Sequence, residues 1–231
     1  MKKLTALLLV IVMAVFALAS CSLDDVHKKG EGTMTYAEYD AAKKNDNVVI
    51  EAFVQATQSW WDNKITIYLQ DKDGAYFGYE VACSEAEAQK LVKGQKVRLT
   101  GVKDEWAGEI EITDATLEIL EGNWKAPVTD LTAKIANEEE LLKNQNKLVA
   151  FKGLTVVSIE YKNGEPGDDI YLTLSKDGIN YDFCVERYLT GPDSDVYKAV
   201  GTLVEGDVVD VEGFLYWYEG MNPHVTSIAK K

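Results

Sequence analysis

Aromatic side chains concentrated at a few positions are the groups of this sequence best suited to surface chemistry. Trp60 and Trp61 are adjacent, and Tyr216, Trp217 and Tyr218 are consecutive. An aromatic ring can remove about 150–250 Å² of surface from water, so such rings either pack locally or meet a ligand. Rings with polar neighbours suit the face of a sugar, a nucleic-acid base or a groove on a protein. The pattern therefore predicts binding surfaces.

Residues that could carry catalysis or hold a metal do not form a recognisable pattern. The two histidines, His27 and His224, have no companion ligand motif, and the acidic residues are too scattered to pick out a catalytic pair. Residues 71–74, DKDG, match a fragment of a calcium-binding loop, but the later acidic ligands of that loop are missing. We therefore predict a non-enzymatic protein with no metal and no cofactor.

The charge of the chain argues against polyanionic partners. The sequence has 38 acidic and 24 basic residues, a net charge of -14. The excess occurs in both halves, with 14 acidic against 7 basic residues in 47–122 and 14 against 8 in 147–231. Such a chain repels nucleic acid unless a local basic patch survives.

The first 25 residues contain targeting signals. Lys2 and Lys3 precede an apolar run over residues 7–18, which ends in Leu18-Ala19-Ser20-Cys21. This pattern resembles the signal of bacterial lipoproteins, which implies that residues 1–20 are a signal peptide and that Cys21 is lipidated and anchors the protein to a membrane. An uncleaved transmembrane anchor is the alternative. A cleaved lipoprotein signal and an uncleaved anchor both place the rest of the chain outside the cytoplasm. Residues 22–25, SLDD, are similar to surface-export signals of Bacteroidetes lipoproteins, and residues 21–34 are predicted to be a flexible tether.

A repeated segment organises the remainder of the chain. Residues 91–101, LVKGQKVRLTG, recur as residues 203–213, LVEGDVVDVEG. Upstream of them, IYL at 67–69 and KDG at 72–74 recur as IYL at 170–172 and KDG at 176–178. The repeat predicts two similar domains. Cys83 and Cys184 lie in different copies at positions that do not correspond, which favours two buried thiols over a disulfide.

Each copy shows the same order of predicted elements. In the first copy, alternating apolar residues predict strands near 48–57, 65–70, 75–82, 97–101 and 109–120, with Val97 and Leu99 directed inward. A capping box at Ser84 starts a helix between the third and fourth strands, and another at Thr35 starts a lead-in helix. The second copy repeats this order, and Asn137 caps a short helix between the copies.

Three strands, a helix and two strands is the element order of the OB-fold (oligonucleotide/oligosaccharide-binding) family, which each copy resembles over 47–122 and 147–228. The predicted fold class is all-β with short helices, as two tandem five-stranded OB-fold barrels. The predicted domains are 35–122, with its lead-in helix, and 147–231, joined by a linker with a short helix over 123–146.

The resemblance implies where a ligand would bind. OB-folds bind on the outer face of strands two and three, between the loops that join strands one to two and four to five. The residues that fall there are Trp60, Trp61, Tyr68, Tyr76 and Trp106 in the first copy and Tyr161, Tyr171, Tyr216, Trp217 and Tyr218 in the second. The alternative for Trp106 and Trp217 is that they fold back and cover the barrel ends.

Strand four separates the ligand classes. Its outward positions are Lys96 and Arg98 in the first copy, but Val208 and Asp210 in the second. Only the first set suits a phosphate backbone. We therefore expect an envelope lipoprotein that binds a glycan or an envelope protein. Single-stranded nucleic acid on the first domain is the alternative, and a structural spacer is a further one.

Overall fold

The computed structural model describes residues 26–231, so the predicted signal peptide and Cys21 lie outside the described residues. No helix within 26–231 combines the length and apolar character needed to cross a bilayer.

The first half of the chain forms a closed five-stranded barrel. Its strands are β1 (Asn47–Thr57), β2 (Lys64–Gln70), β3 (Ala75–Ala82), β4 (Gln95–Trp106) and β5 (Glu109–Asn123). Their order around the barrel is β1-β2-β3-β5-β4, in which only the β3–β5 pair is parallel. Val97 and Leu99 are fully buried in the core, as their alternation with polar residues predicted.

The second half repeats these pairings. Its strands are β6 (Thr129–Asp130), β7 (Leu148–Tyr161), β8 (Ile170–Lys176), β9 (Ile179–Val185), β10 (Val208–Phe214) and β11 (His224–Lys230). The sheet runs β10-β11-β9-β8-β7, β10 also pairs with β7, and the short β6 adds to β7. The predicted fold class of two tandem OB-fold barrels is confirmed.

Short α-helices connect the strands. Within residues 26–231 they are α1 (Tyr36–Ala41), α2 (Glu85–Ala88), α3 (Glu138–Leu142), α4 (Arg187–Thr190) and α5 (Asp195–Val200), with a 3₁₀ turn at Thr132–Lys134. Thr35 and Ser84 form the predicted capping boxes, and Asn137 caps α3. Sequence reasoning missed α4, which begins after Glu186, whose carboxylate accepts the backbone N–H groups of Tyr188 and Leu189.

The described part of the predicted tether, residues 26–34, packs on the first barrel. The His27 ring is buried, with its centroid 5.0 Å from Phe53 and 4.6 Å from Trp124. Lys29 Nζ lies 2.7 Å from Asp71 Oδ2. The expectation of a flexible spacer is therefore wrong for these residues, because ring contacts and an ion pair hold them in place.

The second barrel covers part of the outer face of the first. Tyr68 and Phe77 are paired across β2 and β3, and they form a buried cluster with Leu148 and Phe214 of the second half. The rings of Tyr68 and Phe214 are stacked with centroids 4.4 Å apart. This contact fixes which surfaces of the first barrel stay open.

Both described cysteines are buried free thiols, as predicted. Burial raises the pKa of Cys83 to about 11 and shifts the pKa of Cys184 in the same direction. Neither is therefore suited to act as a thiolate nucleophile.

Candidate aromatic groove

Two of the predicted site residues on the first barrel do not lie on an open face. Tyr68 and Tyr76 are both 0% exposed. Tyr68 does point outward, but the second barrel covers it, whereas Tyr76 pairs with the core residue Leu69 and shares its inward direction. Tyr76 donates its hydroxyl proton to Asp71 Oδ2 at 3.0 Å. Tyr68 therefore lies on the predicted outer face but is not open to a ligand, and the predicted outward direction of Tyr76 is wrong.

The positive charges predicted on strand four are neutralised inside the first domain. Lys96 Nζ and Arg98 Nη2 lie 3.1 and 2.7 Å from the carboxylate of Glu51, which is buried. Burial acts to raise the pKa of Glu51, but hydrogen bonds from Arg98, Gly30 and Lys96 outweigh it, so this pKa lies below its ordinary value. Lys96 is buried and also donates to the carbonyl of Lys28 at 2.7 Å. The expectation of an open basic patch here is contradicted.

The aromatic residues of the two β-hairpin loops, between β4 and β5 and between β10 and β11, meet one another. Trp217 is buried in the second core, as the covering alternative predicted. Trp106 and Tyr218 remain 54% and 47% exposed and pack with ring centroids 5.2 Å apart. Tyr216 stacks on His224 at 4.1 Å. These loops join the barrels, so they do not frame two separate sites.

On the second barrel the outer face of β8 and β9 is open. Tyr171 is 41% exposed and pairs with Cys184 across the strands. Thr173 and Asp182 continue this face, and the Thr173 hydroxyl donates to Asp182 at 3.3 Å. Tyr161 lies away from it, half-buried with its ring 6.3 Å from that of Tyr197. Tyr171 therefore occupies its predicted exposed position, but no other aromatic site residue shares its face.

The most exposed predicted residue, Trp61, is held by a tight turn at the β1–β2 loop. Its backbone exchanges two hydrogen bonds with Lys64, at 3.0 and 2.9 Å. Asp62 and Asn63 between them have φ of 47° and 59°, the left-handed conformation of a type I′ turn, which Asn and Asp tolerate. The turn presents Trp61 at 81% exposure. Trp60 is half-buried beneath it and donates its indole N–H to the Cys83 carbonyl at 2.7 Å.

A β-bulge adds two side chains that sequence reasoning missed. Between Ile65 and Ile67 the register of β2 skips, so that Tyr79 and Glu80 of β3 oppose the single residue Thr66. Glu80 has φ of 47°, and its N–H donates to the Thr66 hydroxyl at 3.2 Å. The bulge directs the side chains of both Tyr79 and Glu80 to the surface. The available signal was Gly78 within a strand, where a Cβ would meet Leu99 at 2.8 Å.

A third aromatic residue comes from the second half of the chain. Tyr188 lies in α4 and is 53% exposed. Its carbonyl accepts hydrogen bonds from the Ser59 backbone N–H at 2.8 Å and the Ser59 hydroxyl at 3.2 Å. The β1–β2 loop of the first barrel is therefore tied to α4 of the second. No sequence pattern linked these segments, because Ser59 and Tyr188 are 129 residues apart.

These elements enclose a groove of about 450 Å³, which we call the aromatic groove. Its lining residues are Gln58, Ser59, Trp60, Trp61, Lys64, Ile65, Thr66, Tyr79, Glu80 and Tyr188. Lys64 and Glu80 form an ion pair of 2.7 Å, so the lining carries one charge of each sign. Exposed rings beside amide, hydroxyl and paired charged groups can stack on a flat apolar face and hydrogen-bond its polar rim.

Burial shifts the pKa values of two titratable groups near the junction of the barrels in the direction that favours their neutral forms. Burial lowers the pKa of His224 to about 3, and its Nδ1 is hydrogen-bonded to the Tyr68 hydroxyl at 2.5 Å. Burial raises the pKa of Glu109 well above its ordinary value, and its Oε2 accepts the Trp217 backbone N–H at 2.9 Å. Both lie between the domains and support their contact. Within residues 26–231 no group of three or more His, Cys, Asp and Glu side chains is arranged to hold a metal.

Comparison with known proteins gives only distant structural matches. No protein-family model matches the sequence, and no curated protein is significantly similar to it. The solved HINa domain of Ifi202 in complex with 20-bp dsDNA is 10% identical with a TM-score of 0.37, over 81% of this chain and 97% of that one. A replication protein A heterotrimer bound to ssDNA is 12% identical with a TM-score of 0.33, over 83% and 51%. Aspartyl-tRNA synthetase from Entamoeba histolytica is 17% identical with a TM-score of 0.34, and the match spans 48% of this chain and 27% of that chain.

Proposed function

We propose that this protein is a non-enzymatic, lipid-anchored binding module of the cell envelope, and that the aromatic groove binds a neutral glycan. The observation that carries the proposal is the convergence of Trp61, Tyr79 and Tyr188 at one groove. Three exposed rings from separate segments are costly to leave in water. The turn at 62–63, the bulge at Glu80 and the bond from Ser59 hold them in place, which lowers the entropy cost of binding.

The polar groups of the groove favour a sugar. Gln58 and Thr66 offer amide and hydroxyl groups, and the Lys64–Glu80 pair offers a donor and an acceptor with no net charge. A sugar ring presents an apolar face for stacking and hydroxyl groups for such partners. A neutral ligand also pays no electrostatic penalty on approaching a chain of net charge -14.

Single-stranded nucleic acid is the second candidate, because the same exposed rings can stack on bases. A phosphate backbone needs cations as well. Lys64 is paired with Glu80, and Lys96 and Arg98 are paired with the buried carboxylate of Glu51. The charge arrangement therefore favours a glycan over nucleic acid.

The extracytoplasmic location rests on residues 1–25. The basic start, the apolar run and Cys21 support a lipid anchor, with the barrels carried outside the cytoplasm. Metabolic labelling with a fatty-acid analogue should modify the full chain in a bacterial host and leave Cys21→Ala unmodified. Labelling of both forms would contradict this anchor.

A parallel binding screen tests the ligand. The chain from Ser22 onward is applied to a glycan array and to single-stranded oligonucleotides at low and high salt. We expect retention on a neutral glycan that is insensitive to salt and weakened about tenfold or more by Trp61→Ala, since central aromatic contacts commonly contribute above about 1.4 kcal/mol.

Trp106→Ala is the matched control, because Trp106 is also an exposed tryptophan of the first barrel but lies outside the groove lining. It should leave glycan retention unchanged. Retention on oligonucleotides that falls steeply with salt would favour the nucleic-acid alternative. The glycan proposal fails if no glycan binds, or if Trp61→Ala and Trp106→Ala weaken binding equally.

A further inference from the structure

A second cavity, of about 470 Å³, lies where the N-terminal segment, the β2–β3 turn and the interdomain linker meet. We call it the linker cavity. Its lining residues are His27, Gln70, Asp71, Lys72, Trp124, Pro127, Thr129 and Lys147. None of them lines the aromatic groove, so the two cavities are separate sites.

One wall of the linker cavity is apolar. Trp124 and Pro127 come from the segment after β5, and the rings of His27 and Trp124 form a T-shaped pair with centroids 4.6 Å apart and an angle of 77°. Trp124 also packs on Phe53 at 5.6 Å. The indole is thus fixed from behind, while it still contributes to the cavity surface.

His27 and Gln70 supply the linker cavity with hydrogen-bond donors that have no acceptor among residues 26–231. His27 is 8% exposed, and its Nδ1 has no hydrogen-bond partner among residues 26–231. Burial lowers the pKa of His27, which favours the neutral ring, and one tautomer of that ring donates from Nδ1. Gln70 uses its carbonyl oxygen to accept the Leu148 N–H at 3.0 Å, which leaves its amide NH₂ as a donor.

The charges of the cavity also point to a missing anion. Lys147 donates to Asn144 Oδ1 at 3.2 Å, but it forms no ion pair within residues 26–231. Burial lowers its pKa by more than the charge of Asp71 raises it. Within residues 26–231 Asp71 forms no direct ion pair with Lys147, because its carboxylate oxygens are engaged elsewhere. Its Oδ1 accepts the N–H groups of Asp73 and Gly74, both at 2.8 Å, and its Oδ2 is bonded to Lys29 and Tyr76.

We propose that the linker cavity binds a small organic acid. Lys147 holds the carboxylate, His27 Nδ1 and the Gln70 amide supply further donors, and Trp124 and Pro127 pack on the apolar body. A buried donor without a partner is costly, and a carboxylate satisfies several donors at once. This site is independent of the function proposed for the aromatic groove.

The indole N–H of Trp124 provides a direct probe. In ¹H–¹⁵N spectra of the chain from Ser22 onward, Trp124→Phe identifies its signal among those of the five tryptophans. Titration with benzoate should shift this signal to saturation, whereas benzamide, which has the same shape without the charge, should leave it unmoved. Lys147→Met should weaken benzoate binding about tenfold or more, the usual cost of losing a hydrogen bond to a charged group.

Lys143→Met is the matched control, because Lys143 lies just after α3 and outside the cavity, and it should leave benzoate affinity unchanged. Inorganic phosphate forms a third arm of the titration. Equal shifts with benzoate and benzamide, saturation by phosphate at the same concentration as by benzoate, or no shift with benzoate would each overturn the proposal. The comparison of benzoate with benzamide uses the unmodified chain, so it stands even if Lys147→Met misfolds.

Discussion

The two barrels share one set of strand pairings but use their equivalent outer faces in opposite ways. Tyr68 and Tyr171 occupy the same position in the repeat, between Ile67 and Leu69 and between Ile170 and Leu172. Tyr68 is 0% exposed beneath the second barrel, whereas Tyr171 is 41% exposed. Strand alternation therefore determines the direction of a side chain, but another part of the chain decides whether it meets water.

The coverage of the first face also explains where the aromatic groove lies. Leu148 and Phe214 cover the middle of β2 and β3, whereas the surface toward the β1–β2 loop, where Trp61 and Tyr79 lie, stays open. Tyr188, which also lines the groove, belongs to the second barrel, the one that covers this face. Association of the two repeats thus covers the face that the sequence predicted to bind a ligand and contributes Tyr188 to the aromatic groove.

The sharpest test of this contrast replaces each of the two equivalent tyrosines by alanine. Tyr68→Ala removes a fully buried ring that stacks on Phe214 and bonds to His224, so it should lower the free energy of unfolding by about 3–5 kcal/mol. Tyr171→Ala removes an exposed ring and should change that free energy by less than about 0.5 kcal/mol. Urea unfolding of the two variants and the parent measures both values. Similar losses in the two variants would mean that the faces are used alike.

A pair of glycines tests the loop contact between the barrels. Gly108 and Gly206 have φ of 89° and 88°, so alanine strains the backbone about equally at each. A Cβ at Gly108 would lie 2.6 Å from Trp217 Cδ1, whereas one at Gly206 would meet nothing within 4 Å. Gly206→Ala should cost about 1 kcal/mol of stability from strain alone. Gly108→Ala should cost about 2–4 kcal/mol, because crowding against Trp217 is added.

Thermal unfolding of both glycine variants gives this comparison directly. Near-UV circular dichroism of Gly108→Ala should also change, since Trp217 must move, while that of Gly206→Ala should match the parent. Equal stabilities for the two variants would show that the loop contact adds nothing to the joining of the barrels.

Local structure could be predicted from the sequence because it depends on neighbouring residues. The capping boxes at Thr35 and Ser84 and the alternation around Val97 specify helix starts and strand faces within a few positions. The repeat then supplied the order of elements for both barrels. These are the parts of the fold that the structure confirms.

The site was predicted less well because it depends on contacts between distant segments. Trp61 was identified because it lies in the loop between the first two predicted strands, and the turn at Asp62 and Asn63 does expose it. Tyr79 is exposed because of a β-bulge. Tyr188 lies at the groove because its carbonyl in α4 is hydrogen-bonded to Ser59. Lys96 failed as a basic site because its counterion, Glu51, lies on a different strand.

The buried titratable residues that begin the last strands, Glu109 of β5 and His224 of β11, predict a pH dependence with two limbs. The folded pKa of Glu109 is raised above the ordinary 4.5, so its stabilising contribution is full below pH 4.5 and is lost as the pH rises through the folded pKa. The folded pKa of His224 is lowered from 6.5 to about 3, so its contribution is full above pH 6.5 and is lost as the pH falls toward 3. At pH values above 4.5 and below 6.5, where both groups titrate, the two contributions to the pH dependence of stability have opposite signs.

Glu109→Gln isolates the alkaline limb, since Glu111 and Glu186, whose pKa values are also raised, remain in both proteins. The stability of this variant relative to the parent should increase above pH 4.5, by about 1.4 kcal/mol for each pH unit up to the folded pKa of Glu109. Urea unfolding at pH 5, 6, 7 and 8 measures the difference, and Glu118→Gln, at a side chain 62% exposed, is the control. A difference that stays constant with pH would mean that Glu109 is charged in the folded protein. The contact between the two loops would then contain a buried anion at the start of β5, whereas the corresponding position of the second barrel, at the start of β11, carries His224.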